Sequence, residues 1–238
     1  MVAGQAERWA AFRIPEEPPD VHLELIDPAA GRDAVPDGDY LFDRLDVRFA
    51  ADVARARLRG WHNGSEGALD ALFGLALQVS ALARGALVVH AAAGVLDGQA
   101  WLMPGESGTG KSTAAREAGF DRVLADEMVV VRRATSGFVA WGTPFWSKGR
   151  TLPFDAGFAP LGVVARLRQA DAVAARPMRQ DDLAAYLIRS VVLYETSADA
   201  RRRAFELACD VVEAVRGVEL AFPKEGPWIR QACSSARS

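Results

Sequence analysis

Gly105, Glu106, Ser107, Gly108, Thr109, Gly110, Lys111 and Ser112 carry the pattern G-x-x-x-x-G-K-S at every fixed position. The chemistry that needs this pattern is phosphate binding. Glycines let the backbone curl so that successive N–H groups point inward at phosphate oxygens, and the helix that follows presents its positive end. Lys111 supplies a mobile positive charge for the β- and γ-phosphates. The Ser112 hydroxyl suits a Mg²⁺ ion, with Thr113 beside it. Fifteen residues past Lys111 stand two acids, Asp126 and Glu127. A serine-like hydroxyl must lose its proton as it attacks a phosphorus atom, and a carboxylate here can accept it. The neighbouring acid, with Ser112, can complete a metal shell. Asp126 is therefore expected to act as base and Glu127 as metal partner, either carboxylate being able to reach the ion. Two solvated acids at the end of a strand would fit the same letters.

The elements that must position these groups are legible on both sides. Ala100 to Met103 reads as a short buried strand feeding the loop, and Ser112 to Ala118 as the helix leaving it. Upstream, LVVHAAAGVL and QAWLM flank Asp97-Gly98, the dipeptide of a two-residue type I′ hairpin turn. The strand entering the loop should then run antiparallel to its predecessor, unlike the parallel β-α-β entry of a doubly wound nucleotide-binding domain. His90 lies in that predecessor. A lone histidine in an apolar strand fits a hydrogen-bonded core residue as well as a functional one, but this strand neighbours the one that ends in the loop. Downstream, Arg122 to Ala125 reads as a strand ending in the acid pair. His22 and His62 have no such context and read as surface or packing residues.

These motifs together resemble the HPr serine kinase/phosphorylase family and its shorter HprK-related members. The likeness rests on Val89-His90 opening a hairpin, on G-x-S-G-x-G-K-S from Gly105 to Ser112, and on L-A-D-E from Leu124 to Glu127. It is specific over Val88 to Val131 and fades to general layout as far as Trp228. The resemblance implies an α/β mixed-sheet P-loop kinase core, related to phosphoenolpyruvate carboxykinase, with ATP as donor and a serine hydroxyl as acceptor. It also implies a histidine, here His90, near the transferred phosphate. Full-length members carry Asp-Asp where this chain has Asp126-Glu127, and GTPFWSKGR (Gly142 to Arg150) replaces their Arg/Gly-rich signature. The chain is in these respects more similar to the short members that phosphorylate small proteins or ribosomally made peptides, such as lasso-peptide precursors.

The rest of the chain reads as support. Residues 1–20 are polar and proline-rich, an expected irregular lead-in. Val21, Leu23 and Leu25 alternate with polar neighbours, as do Leu45, Val47 and Phe49, so residues 1–64 are expected to form a small β-rich accessory segment. The kinase core is expected over residues 65–238. Leu69, Leu72, Phe73, Ala76, Val79 and Leu82 make one face of a helix from Ser65 or Glu66 that Gly85 would end. Phe138 to Trp141 should pair back on Met128 to Arg133, and Leu161 to Leu167 reads as a further strand. Helices are expected over Asp181–Tyr194 and Ala198–Arg216, the second ended by Gly217, with a late strand at Val218–Phe222. In GTPFWSKGR, Lys148 is an acceptor-side candidate, although a solvated loop with Phe145 and Trp146 tucked inward suits the same residues.

Half of the 238 residues are apolar and the net charge is −3, so there is no strong positive field of the kind nucleic-acid binding needs. Cys209 and Cys233 lack spacing for zinc or a disulfide framework, and no apolar run is long enough to span a bilayer. A cytoplasmic enzyme with no nucleic-acid or membrane partner is expected. Three functions fit: a kinase using ATP and Mg²⁺ on a serine-bearing small protein or peptide, a small-molecule kinase on the same scaffold, or an ATP-hydrolysing or nucleotide-sensing module. A transporter-type ATPase is disfavoured because no L-S-G-G-Q segment occurs. The acceptor and the oligomeric state stay open at this level.

Overall fold

A computed structural model describes residues 21–53, 57–145, 156–194 and 197–235. The expected lead-in over residues 1–20, together with Trp146 and Lys148, lies outside them. Backbone contacts divide the chain into two compact units. One takes the described residues up to Arg84 plus Leu193–Arg201, and the other takes Gly85–Val192 and the rest from Arg202. The division therefore falls at Arg84, whereas the sequence suggests residues 64/65.

The first unit is a four-stranded sheet under one helix. β1 (His22–Ile26), β2 (Tyr40–Arg44), β3 (Val47–Asp52) and β4 (Arg57–His62) lie in the order β1-β4-β3-β2, with β1 parallel to β4 and the other pairs antiparallel. The alternation at Leu45 does not belong to a strand. Leu45 is 86% exposed in the turn between β2 and β3, and the strand proper starts at Val47. β4 escapes periodicity because Gly60 occupies an inward position. A methyl group there would stand 2.3 Å from Leu72 Cδ1, so the glycine is what lets the helix lie down on the sheet. That helix, α1 (Glu66–Ala83), starts where Ser65 Oγ accepts the Ala68 N–H at 3.2 Å and ends before Gly85, at φ 70°. Its 18 residues have a mean hydropathy of 1.3, enough by composition for a membrane span. Here Leu69, Leu72, Leu75 and Val79 instead share a core with Val47, Phe49 and Leu58.

The second unit is a mixed sheet with helices. Its first strands are β5 (Ala86–Leu96), β6 (Gln99–Pro104), β7 (Arg122–Ala125), β8 (Met128–Arg133) and β9 (Phe138–Trp141). β10 (Phe158–Gln169), β11 (Ala174–Pro177) and β12 (Arg216–Phe222) complete it, in the order β11-β12-β10-β6-β5-β8-β9 with β7 also on β5. Asp97 (φ 49°) and Gly98 (φ 78°) make the left-handed turn that folds β6 back on β5. β6 runs parallel to β10, and β10 parallel to β12, so the carboxyl ends of these three strands open on one side. The first residues of β10, Phe158–Pro160, also pair with β9, closing a ring of pairings through β10, β6, β5, β8 and β9.

Helices α2 (Lys111–Glu117) and α5 (Ile229–Ser235) share one core with the sheet, in which Ala92, Met103, Ala114, Ala118, Leu220, Phe222 and Trp228 are buried. Two helix ends differ from the periodic pattern. α3 (Gln180–Ser190) stops four residues before Tyr194, because β-branched Val191 takes an extended conformation and bridges Val89, while the Val192 N–H donates to the Val88 carbonyl at 2.8 Å. α4 (Ala198–Ala214) ends before Arg216, which opens β12 in register with Val163. Gly217 is thus a strand residue and not a helix stop; Leu183 Cδ2 of α3 would lie 2.7 Å from a methyl group added there.

Candidate active site

The loop between β6 and α2 is built from glycines held where other residues are strained. Gly105, Gly108 and Gly110 have φ of 149°, 89° and 99°. The Thr109 N–H and hydroxyl both donate to the Glu106 carbonyl, at 3.3 and 2.9 Å, and the Ala114 N–H donates to Gly110 at 2.8 Å where α2 begins. Glu106, Ser107 and Gly108 form an exposed rim, while Thr109, Gly110, Ser112 and Thr113 are half-buried. Lys111 is folded under that rim and only 6% exposed; its Nζ donates to the carbonyls of Gly105 (2.7 Å) and Glu106 (2.9 Å). Burial pulls the Lys111 ammonium below its ordinary range, and the nearby charges of Glu127 and Asp126 pull the other way.

The β5–β6 hairpin brings His90 to the loop. Every residue of β5 except His90 is buried, which marks it as the one point where the strand meets open space. Its carbonyl accepts the Gly105 N–H at 3.3 Å. The acid pair arrives from the other side of β5: Ala125 pairs with Ala93 and Met128 with His90, while the Ala91 N–H donates to the Glu127 carbonyl at 3.1 Å. Asp126 and Glu127 therefore do not sit where a strand leaves the sheet. They form a two-residue interruption between β7 and β8: after a register shift within β7 between Val123 and Ala125, Ala125 and Met128 share one register along β5, which sets the two acids opposite Ala92 and Ala91. His90 Nε2 lies 3.3 Å from Glu127 Oε1. That hydrogen bond, helped by Lys111 and opposed by burial, holds the Glu127 carboxyl below the usual carboxylate range. Asp126 is more deeply set, at 6% exposure.

Further residues position the site without having stood out in the sequence. Tyr186 of α3 donates its hydroxyl to the carbonyl of Pro104, the last residue before the loop, and burial pushes that phenol up. Thr143, 3% exposed, donates to the Met128 carbonyl at 2.6 Å and so anchors the segment after β9 beside Glu127. Phe222 and Gln169, the last residues of β12 and β10, lie against Gly110. Each is a common residue in an ordinary element, and only the pairing of β6 with β10 and β10 with β12 brings the ends of these strands to the loop. Among the described residues no group of three His, Cys, Asp or Glu side chains stands ready to hold a metal by itself. Ser112 with one carboxylate is instead the sparse donor set that suits Mg²⁺ shared with phosphate oxygens.

Residues 73–222 match the family model described as SynChlorMet cassette protein ScmC. The chain belongs to the ScmC family. The ScmC match runs from within α1 to the end of β12, and so includes His90, the loop, the acid pair and the three parallel strands. No curated protein matches the chain. Among solved structures, the Hpr(Ser) kinase/phosphatase from Coxiella burnetii is matched at 13% identity and a TM-score of 0.33, over 57% of this chain and 85% of that one.

Proposed function

We propose that this ScmC-family chain is an ATP-dependent kinase that transfers the γ-phosphoryl group to a serine hydroxyl of a small protein or ribosomally made peptide. The observation that carries the reading is the meeting of Lys111, Asp126, Glu127 and His90 at the mouth of the Gly105–Ser112 loop. The glycines at positive φ give the loop a curl in which backbone N–H groups, with Lys111, would bind the β- and γ-phosphates. Ser112 and Glu127 would hold Mg²⁺, and the lowered pKa of Glu127 keeps it ionised at neutral pH, the state a metal ligand needs. Bound there, Mg²⁺ would neutralise charge on the phosphates. Asp126 takes the proton from the attacking hydroxyl, and His90 orients Glu127 through Nε2.

The test is label transfer from γ-labelled ATP with Mg²⁺ to serine peptides, to free serine or to no acceptor, beside a Lys111→Ala control. Label on a peptide serine that disappears in the control is the expected result. Free phosphate alone would favour hydrolysis, label on free serine a small-molecule kinase.

A further inference from the structure

We propose that the nucleoside end of the nucleotide rests in the concavity between the loops that follow β10 and β12, with Gln169 and Asp171 as its polar contacts. This inference rests on the nucleotide reading above and adds the position of the part of the ligand that the glycine-rich loop does not hold.

The loop has two unlike flanks. On the β5 side stand His90, Asp126 and Glu127, with His90 Nε2 3.3 Å from Glu127 Oε1. These groups serve the reacting end of a triphosphate. On the other side β10 and β12 run parallel to β6, so their last residues, Gln169 and Phe222, emerge next to the loop. The contact is at Gly110, where a methyl group would lie 2.7 Å from the Phe222 ring and 3.4 Å from Gln169 Nε2. The Ala170 N–H donates to the Phe222 carbonyl at 2.9 Å and ties the two strand ends together. Beyond that tie, Gln169, Ala170, Asp171, Pro223, Lys224 and Glu225 line an open concavity of ≈ 640 Å³.

A triphosphate is an unbranched chain whose γ-phosphate and ribose are at opposite ends. With its γ-phosphate toward the acids, its α-phosphate and ribose would leave the loop on the Gly110 side, over Gln169. The volume is within the usual range for a small-molecule site, and carboxyl ends of parallel strands are where α/β sheets bind ligands. The chemistry of the lining suits a nucleoside: the Gln169 amide both donates and accepts, the Asp171 carboxylate accepts from ribose hydroxyls, and Ala170 and Pro223 offer apolar surface to the base.

Asp171 and Glu225 are exposed, so replacing either by tryptophan fills the concavity without touching the core. Calorimetric titration of wild type, Asp171→Trp and Glu225→Trp, each with Mg²⁺ and either ATP or tripolyphosphate, separates the nucleoside from the phosphates. ATP affinity is expected to fall about tenfold or more in at least one variant while tripolyphosphate affinity stays within about twofold. Unchanged ATP affinity in both variants, or a parallel fall for tripolyphosphate, would overturn the assignment. Photolabelling of the wild type with 8-azido-ATP gives an independent readout. Cross-links on 169–171 or 223–225 support the site, and cross-links confined to other segments refute it. If the wild type binds neither ATP nor tripolyphosphate, the nucleotide reading itself has failed; binding of both with no difference between variants defeats this inference alone.

Discussion

Glu127, hydrogen-bonded to His90, is the group on which the titration of the site turns. The His90 hydrogen bond is the main cause of the lowered Glu127 pKa, and burial acts against it. The stabilisation this pair contributes is present above the ordinary carboxylate range and is lost as pH falls through the lowered value. In His90→Ala the hydrogen bond is gone and the burial remains, so Glu127 should titrate at a higher pH. The acid limb of the kcat/KM profile is expected to move upward; an unmoved limb would separate His90 from the function of Glu127. The two acids should also part company under substitution. Asp126→Asn is expected to leave ATP binding in place and to lower kcat by about 10²–10⁴, whereas Glu127→Gln should raise the Mg²⁺ concentration needed for half-maximal rate. Equal effects of both variants on metal dependence would remove the proposed division of labour. The loop, Lys111 and the acid pair are legible as candidates because a spaced motif is recognised from residue types alone. The pairing of His90 with Glu127 was not, since nothing in a linear spacing says which histidine faces which acid across two strands.

At the scale of elements, close approach explains positions that periodicity misses. Phe120 packs over β5 at Gly94, where a methyl group would stand 2.3 Å from its ring. Because ring atoms other than the far end of the side chain are met, Gly94→Ala should cost about 1–3 kcal/mol, measured by urea unfolding; no loss would mean that Phe120 relaxes freely. The hairpin around Asp97-Gly98 and the helix from Ser65 follow from local turn and cap chemistry, and both stand as the residues suggest. A strand over Val218–Phe222 stands as the residues suggest, but β11 and the first residues of β12 are different. Ala174–Pro177 is short and carries a proline, and Gly217 looks like a helix stop until Arg216–Phe222 pairs beside Val163–Gln169. Local propensity loses there to a long-range pairing that it cannot register. Tyr194 is lost from α3 for a similar reason: the extended bridge of Val191 to Val89 ends the helix first.

At the scale of the whole molecule, each compact unit has its own core. Leu72, fully buried in the first unit, tests whether the nucleotide site depends on that core. Leu72→Ala should destabilise its unit by about 2–5 kcal/mol and leave ATP affinity within about twofold; a larger loss of affinity would mean that the site draws on both units. Ligand linkage gives the complementary test. ATP with Mg²⁺ at one hundred times its Kd should stabilise the protein by about 2.7 kcal/mol, seen as a raised Tm, and the rise should be absent in Lys111→Ala. A rise that survives that substitution would place binding elsewhere.

What the residues decide by themselves is local: a loop whose glycines must adopt positive φ, a lysine and a serine behind it, two acids fifteen residues on, a turn that reverses β5 into β6, and a capped apolar helix. These follow from steric and hydrogen-bonding rules that act over a few neighbours. Tertiary structure alone decides which unit α1 joins, that Asp126 and Glu127 interrupt a continuous pairing along β5, and that β10 and β12 run parallel to β6. Those outcomes depend on register and burial between segments far apart in the chain. They set one flank of the loop against a histidine and two acids and the other against Gln169 and Phe222, an asymmetry that no spacing along the chain expresses.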